Sequence, residues 1–68
     1  MDKKCIEFIQ DVLISIHENL RELSERKAFA EADELSHIEG KIQAYQEMLS
    51  ILRMSADASD LPKHEIGL

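Results

Sequence analysis

The sequence contains no tryptophan, one tyrosine, two phenylalanines, two glycines and one proline among its 68 residues. Strands are enriched in aromatic residues and their turns in glycine and proline, so this composition argues against a β-sandwich. A chain of this length forms at most one small domain, which excludes a Rossmann unit, a barrel or a two-lobed enzyme. The sequence therefore predicts one small all-α domain.

Disulfides and membrane segments are the next features the sequence lacks. The single cysteine, Cys5, cannot form an internal disulfide, which is typical of a reducing compartment. Glu7, Gln10 and Asp11 interrupt the N-terminal apolar residues, and no run approaches the roughly 20 apolar residues of a membrane span. We expect a cytoplasmic protein that does not associate with a membrane.

Acidic residues outnumber basic ones by 14 to 8, which gives a net charge of −6. An evenly spread negative charge repels nucleic-acid phosphates, so we expect no direct binding to DNA or RNA. Basic residues such as Arg21, Arg26, Lys27 and Lys41 interleave with the acids, which is typical of a solvated helical surface. An acidic inhibitor or nucleic-acid mimic that binds a basic protein site remains an alternative.

In two segments, apolar residues recur at alternating spacings of three and four, the pattern of amphipathic helices. We call each of these rows of apolar residues a seam. The first comprises Ile6, Ile9, Leu13, Ile16, Leu20 and Leu23, and the second comprises Leu35, Ile38, Ile42, Tyr45, Leu49, Leu52 and Ala56. These seams predict helices over residues 3–26 and 31–57. Asp2 is a suitable N-cap for the first helix, and Asp33 could cap the second if it begins later.

The two seams mirror each other about Phe29, which favours an antiparallel two-helix hairpin with its turn near 27–30. A continuous rod would place polar residues on the seam after Leu23. We expect residues 1–57 to form the hairpin, with Phe29 covering the end of the seam. Pro62 should stop the second helix, and residues 58–68 are expected to form a flexible tail unless Leu61, Ile66 and Leu68 dock.

Apolar residues also remain beside each seam, at the open end of the hairpin away from the turn. They are Cys5, Phe8 and Val12 on the first helix and Ala44, Met48 and Ile51 on the second. Gly40 and Ala44 would allow another helix to approach closely. An apolar patch on a small protein predicts an interface, so we expect a homodimer that forms a four-helix bundle. A heterologous protein partner, or coverage by the chain's own tail, are the alternatives.

No constellation in the sequence indicates catalysis or a cofactor. Ser15, Ser24, Ser36 and Ser50 lie at helical positions without a convergent histidine and acid, and no phosphate-binding loop is present. Glu34 and His37 have the Glu-x-x-His spacing of metal-binding helical bundles, and with His17 they define a metal-protein alternative. The principal expectation is a non-catalytic interaction or regulatory module that needs no metal.

The segment from Leu35 and Ser36 to Tyr45 resembles the second helix of the small helical-hairpin aspartyl-phosphate phosphatases. In that family a Leu-Ser pair precedes a Leu-Asp pair and a later tyrosine. The resemblance covers about a sixth of the chain and implies a short helical hairpin. Ile38, Glu39 and Gly40 stand where the family has Leu-Asp, and the tyrosine is displaced by one residue, so no phosphatase role is carried over.

Overall fold

A computed structural model describes residues 2–68 and contains three helices. Helix α1 spans Lys3–Lys27, α2 spans Ala32–Ala58, and the short α3 spans Lys63–Ile66. Over the described residues no strand is present, so the all-α prediction is confirmed. The ends of α1 and α2 lie within one residue of the predicted bounds.

The helix ends show which predicted caps form. The Asp2 carboxylate accepts a hydrogen bond from the Lys4 backbone N–H at 3.4 Å, so Asp2 is the N-cap of α1, as predicted. Asp33 is not a cap, because it lies inside α2 and accepts only from the adjacent Glu34 N–H. The N-cap of α2 is Glu31, whose backbone carbonyl accepts from Leu35 at 2.9 Å while its side chain makes no capping bond.

The two long helices lie side by side and antiparallel, with the predicted seams between them. The fully buried side chains are all apolar seam residues, apart from Ile66 of α3: Leu13, Leu23, Ile38, Leu49 and Ala56. Most other seam residues are half-buried, while Leu52 is 37% exposed. Removing this apolar surface from water stabilises the hairpin by about 25 cal/mol per Å² buried.

The molecule is a thin, elongated slab. Its principal extents are 45 × 20 × 13 Å, and its radius of gyration is 14.4 Å. A compact domain of this length would have a radius of gyration of about 11 Å. The smallest extent, 13 Å, includes the docked α3, and the two long helices side by side form one layer with two broad faces.

The C-terminal segment differs from the flexible tail expected for residues 58–68. Asp60 takes a left-handed conformation (φ 54°) and turns the chain back, so that α3 packs against both long helices. Ile66 becomes 2% exposed, and the Gln10 side-chain amide donates to the Glu65 carbonyl at 2.7 Å. Docking therefore replaces the free tail, because the open end of the hairpin leaves apolar surface for Ile66 to cover.

The turn between α1 and α2 also departs from expectation at one residue. Phe29 is 89% exposed and does not cover the end of the seam. The turn backbone is closed by hydrogen bonds from the N–H groups of Ala28, Phe29 and Ala30 to the last carbonyls of α1. These bonds set the direction of the chain here, and the ring is left in solvent.

Candidate functional site

Every residue predicted to form the interface is exposed in the isolated chain. Phe8 is 69% exposed, Ile51 62%, Met48 43% and Val12 41%. Cys5, Gly40 and Ala44 are exposed as well. An apolar residue that is exposed singly is ordinary, but a contiguous group of them marks an interaction surface.

These residues lie on one broad side of the hairpin, which we call the front face. Phe8 and Val12 lie on the same flank of the α1 seam as Asn19, Glu22 and Arg26. With Ser15 between Val12 and Asn19, these residues follow one another at spacings of three and four, which places them on one side of a helix. Asn19, Glu22 and Arg26 line a single groove with Ala44 and Met48 of α2. The stripe on α1 and the stripe on α2 therefore border the same side of the molecule.

The two stripes also lie at the same height along the hairpin. The side chains that meet across the hairpin are Asn19 with Tyr45 and Lys27 with Glu39, and Leu13 lines one pocket with Leu52. At 1.5 Å per residue this register places Val12 at about the height of Ile51, with Phe8 and Met48 within about 6 Å on either side. We call these four residues the apolar half of the front face.

The half of the front face nearer the turn is polar, and sequence reasoning did not identify it as part of the site. It forms an open groove of about 410 Å³ lined by Asn19, Glu22, Leu23, Arg26, Lys41, Ala44, Tyr45 and Met48. The Asn19 side-chain amide donates to the Tyr45 hydroxyl at 3.1 Å across the two helices. The helical spacing that continues from Val12 through Ser15 to Asn19 was the signal that could have revealed it.

The charges in this polar half have no ion-pair partner among residues 2–68. Over residues 2–68 the salt bridges are Lys27 with Glu39 and Lys63 with Asp57. Glu22 and Lys41 lie on opposite sides of the groove and take part in neither. Both charges are therefore available to a binding partner.

The opposite side, which we call the back face, carries the C-terminal helix. Residues of α1 that lie on the other flank of the seam, Gln10, Ile14 and His17, line a cleft with His64 to Gly67. Lys63 of α3 also pairs with Asp57 of α2. The C-terminal segment thus covers part of the back face and leaves Phe8, Val12, Met48 and Ile51 exposed on the front.

The residues of the metal-protein alternative do not converge. Glu34, His37 and His17 are all exposed, and Glu34 and His37 lie on α2 while His17 lies on the α1 side of the back-face cleft. Within residues 2–68 no group of three or more histidine, cysteine, aspartate or glutamate side chains is placed to hold a metal ion. The described part of the chain therefore brings no third ligand to the Glu-x-x-His pair.

None of the helices over the described part of the chain is long and apolar enough to cross a membrane. Comparison of the chain with known protein families, with curated proteins and with solved structures gives no match. What the site can do is therefore argued from its own geometry.

Proposed function

We propose that the protein is a small non-catalytic interaction or regulatory module whose front face binds a second copy of the chain. Two hairpins joined in this way form a four-helix bundle. The observation that carries the proposal is the apolar half of the front face, in which Phe8 and Ile51 are 69% and 62% exposed on neighbouring helices.

The exposed area of the isolated chain supports this proposal. The chain exposes 5254 Å² for a mass of 7.8 kDa. Compact monomers of that mass expose about 4,400 Å² by the usual scaling, so the hairpin carries an excess of roughly 900 Å². A standard protein interface buries about 800 Å² on each partner, so one interface of ordinary size would remove this excess.

The layer structure supports it too. Stable domains pack two layers of secondary structure around one core, whereas the two long helices of this hairpin form only one layer. The C-terminal helix supplies a partial second layer on the back face only. A second hairpin would supply the missing layer on the front.

The non-catalytic part of the proposal rests on where the polar groups lie. All the buried side chains over the described residues are apolar, and the histidines and carboxylates lie on the surface. Exposed Cys5 is the only cysteine, which suits a reducing compartment, so we place the protein in the cytoplasm as part of the same proposal.

The first test is the mass of the protein in solution, by sedimentation equilibrium over a concentration series. A dimer near twice 7.8 kDa is expected. A folded monomer at every concentration would contradict self-association and would favour a heterologous protein partner. Binding to a basic protein that weakens steeply with added salt would instead favour the acidic-inhibitor alternative.

The second test replaces the largest apolar side chain of the front face. Phe8→Asp places a charge in the interface, and it should raise the dimer dissociation constant at least about thirtyfold, equivalent to roughly 2 kcal/mol. The matched control is Ile14→Asp, because Ile14 lies on the same helix, is 56% exposed and borders the back-face cleft. Circular dichroism should show that both variants stay helical.

The contrast between the two variants decides the assignment. If Phe8→Asp sediments like the parent protein, the front face is not the interface. If Ile14→Asp dissociates the dimer and Phe8→Asp does not, the back face is the interface instead.

A further inference from the structure

We infer that two copies meet front face to front face with their open ends together, so that α1 of one copy crosses onto α2 of the other. The two-fold axis then runs parallel to the long axis of the hairpin. This inference rests on the proposed self-association and specifies its geometry, which mass alone does not reveal.

The argument begins with what a two-fold axis requires. An axis along the hairpin places each α1 residue opposite the partner's α2 residue of the same height, because heights are unchanged and the two sides are exchanged. Val12 then meets the partner's Ile51, and Phe8 and Met48 border that contact on either side. All four side chains are exposed in the isolated chain, and they are covered together in the half of the interface at the open ends.

The alternative places the axis across the hairpin, so that the open end of one copy lies over the turn end of the other. In that arrangement α1 lies on the partner's α1, and when the two copies of Lys3–Lys27 overlap over their full length Phe8 falls opposite the height of Glu22. An aromatic ring would then cover a carboxylate, which loses water without gaining a partner. The apolar and polar halves of the front face therefore favour the first arrangement.

The charges in the polar half agree with this choice. Side chains lean toward the N-terminus of their own helix, so Glu22 on α1 leans toward the open end and Lys41 on α2 leans toward the turn. The two helices run in opposite directions, and these leanings bring Glu22 toward the level of the partner's Lys41. Each interface would contain this pair twice, and neither charge has a salt-bridge partner among residues 2–68 of its own chain.

Gly40 and Ala44 complete the match. A Cβ added at Gly40 would have no atom within 4 Å, so the chain itself gives no packing reason for glycine there. Gly40 lies beside Lys41 in the polar half, and Ala44 lies between Lys41 and Met48, so the small residues lower the surface there and allow the partner's α1 to approach closely.

Distances between spin labels test the arrangement directly. Lys3→Cys is labelled in one sample and Ala28→Cys in another, both in a Cys5→Ser background, which probes the open end and the turn end from positions outside the predicted interface. Packed helices lie about 8–10 Å apart, so open ends together should give label separations within about 25 Å at both positions. The crossed arrangement should give about 35 Å for position 3 and about 40 Å for position 28 from the helical rise alone.

The outcomes separate this inference from the proposed function. Short distances at both positions support it. Long distances at both positions overturn it while leaving self-association in place. A protein that is monomeric by sedimentation and shows no dipolar coupling at either position overturns both.

A charge-exchange experiment tests the contact between Glu22 and Lys41 without any label. Glu22→Lys and Lys41→Glu should each weaken the homodimer about three- to tenfold, because each variant faces like charge across the interface. Mixing the two, with one isotope-labelled, should raise the heterodimer above the statistical half of all dimers in native mass spectrometry. A heterodimer share at the statistical value would overturn the inferred pairing.

The matched control uses the outer surface of α1. Glu25→Lys and Arg21→Glu change the net charge of the two chains by the same amounts, and both residues are exposed beside Glu18 and Glu22. This mixture should stay at the statistical distribution. An equal heterodimer excess in the control would show that general charge attraction, and not the Glu22 contact, drives the pairing.

Discussion

The two broad faces of this hairpin both carry apolar residues beside the seam, but they differ in how much of that surface the C-terminal segment covers. Each long helix has apolar residues beside its seam, and a two-helix layer cannot cover both of its own sides. On the back face α3 covers part of this surface, and Ile66 is only 2% exposed. On the front face none of residues 2–68 covers Phe8, which is 69% exposed. The comparison supports the proposal that the front face serves binding, whereas the docked part of the back face serves folding.

The geometry after α2 decides which face is covered. Asp60 adopts a left-handed conformation, the Leu61 N–H donates to the Ala56 carbonyl at 2.9 Å, and Pro62 precedes α3. These features turn the chain toward Gln10 and Leu13, so the last residues cannot also reach the front face.

The largest expected difference between the two faces is in how substitutions at two adjacent residues, Leu13 and Val12, change the free energy of unfolding. Leu13 is 2% exposed and contacts the back-face cleft, whereas Val12 is 41% exposed on the front face. Leu13→Ala should lower the free energy of unfolding by about 3 kcal/mol, a large fraction of the stability of so small a domain. Val12→Ala should lower it by less than about 1 kcal/mol once the protein is diluted to monomer.

Urea denaturation at low protein concentration measures both values. Equal losses for the two variants would mean that the front face is part of the folding core and would remove the distinction between the faces.

The next effect concerns the docked segment. Ile66→Ala leaves a cavity under α3 and should lower the free energy of unfolding by about 2 kcal/mol, with α3 becoming the first element to open. Hydrogen exchange at the amides of Glu65 and Ile66, which donate to the Pro62 carbonyl, reports that opening. The dimer dissociation constant should stay within about twofold of the parent value.

Leu68→Ala is the matched control, because Leu68 is half-buried near Ile66. Its truncation should lower the free energy of unfolding by less than Ile66→Ala does. A large loss of dimerisation in Ile66→Ala would show that α3 supports the interface and that the two faces are coupled.

The smallest effects come from the two glycines. Gly67 has a φ of 95°, where a side chain is strained, so Gly67→Ala should destabilise the fold by about 1 kcal/mol. Gly40 lies inside α2 with open space where a Cβ would be, so Gly40→Ala should stabilise the isolated chain by about 0.5–1 kcal/mol. Thermal unfolding at low concentration compares the two, and shifts of the same sign would contradict the contrast.

Gly40→Ala should at the same time weaken association, because a methyl group would stand where the partner helix approaches. A variant that is more stable as a monomer and also dimerises more tightly would argue against close approach at this position.

Much of the fold could be predicted from the sequence because it depends on local periodicity. The spacing of the seam separates Leu13 from its neighbour Val12, and the structure buries the first and exposes the second. The Asp2 cap could also be predicted, since an N-cap depends on a few adjacent residues.

Other features could not be predicted because they depend on contacts between distant residues. The docking of Ile66 beside Leu13, and the bond from Gln10 to Glu65, join the two ends of the chain, and no local pattern encodes them. Phe29 shows the opposite error, since a large apolar residue beside the seam was expected to pack and the turn backbone directs it into solvent.

The candidate site also has one part that local sequence patterns predict and one part that depends on contacts between distant residues. The apolar half was predicted because surplus apolar residues are visible in the sequence as a second stripe. The polar half was missed, because Asn19 has no apolar signal and the spacing predicts Tyr45 only as a seam residue. Their hydrogen bond exists only once the two helices lie together.

The sequence by itself determined two amphipathic helices, their approximate bounds and the apolar residues left over, since helical periodicity and capping act over a few residues. Only the tertiary structure decided that the last residues cover the back face and that the front stays open. That decision depends on the path of the chain after Ala58 and on which surface Ile66 can reach, which are set by packing between elements far apart in sequence.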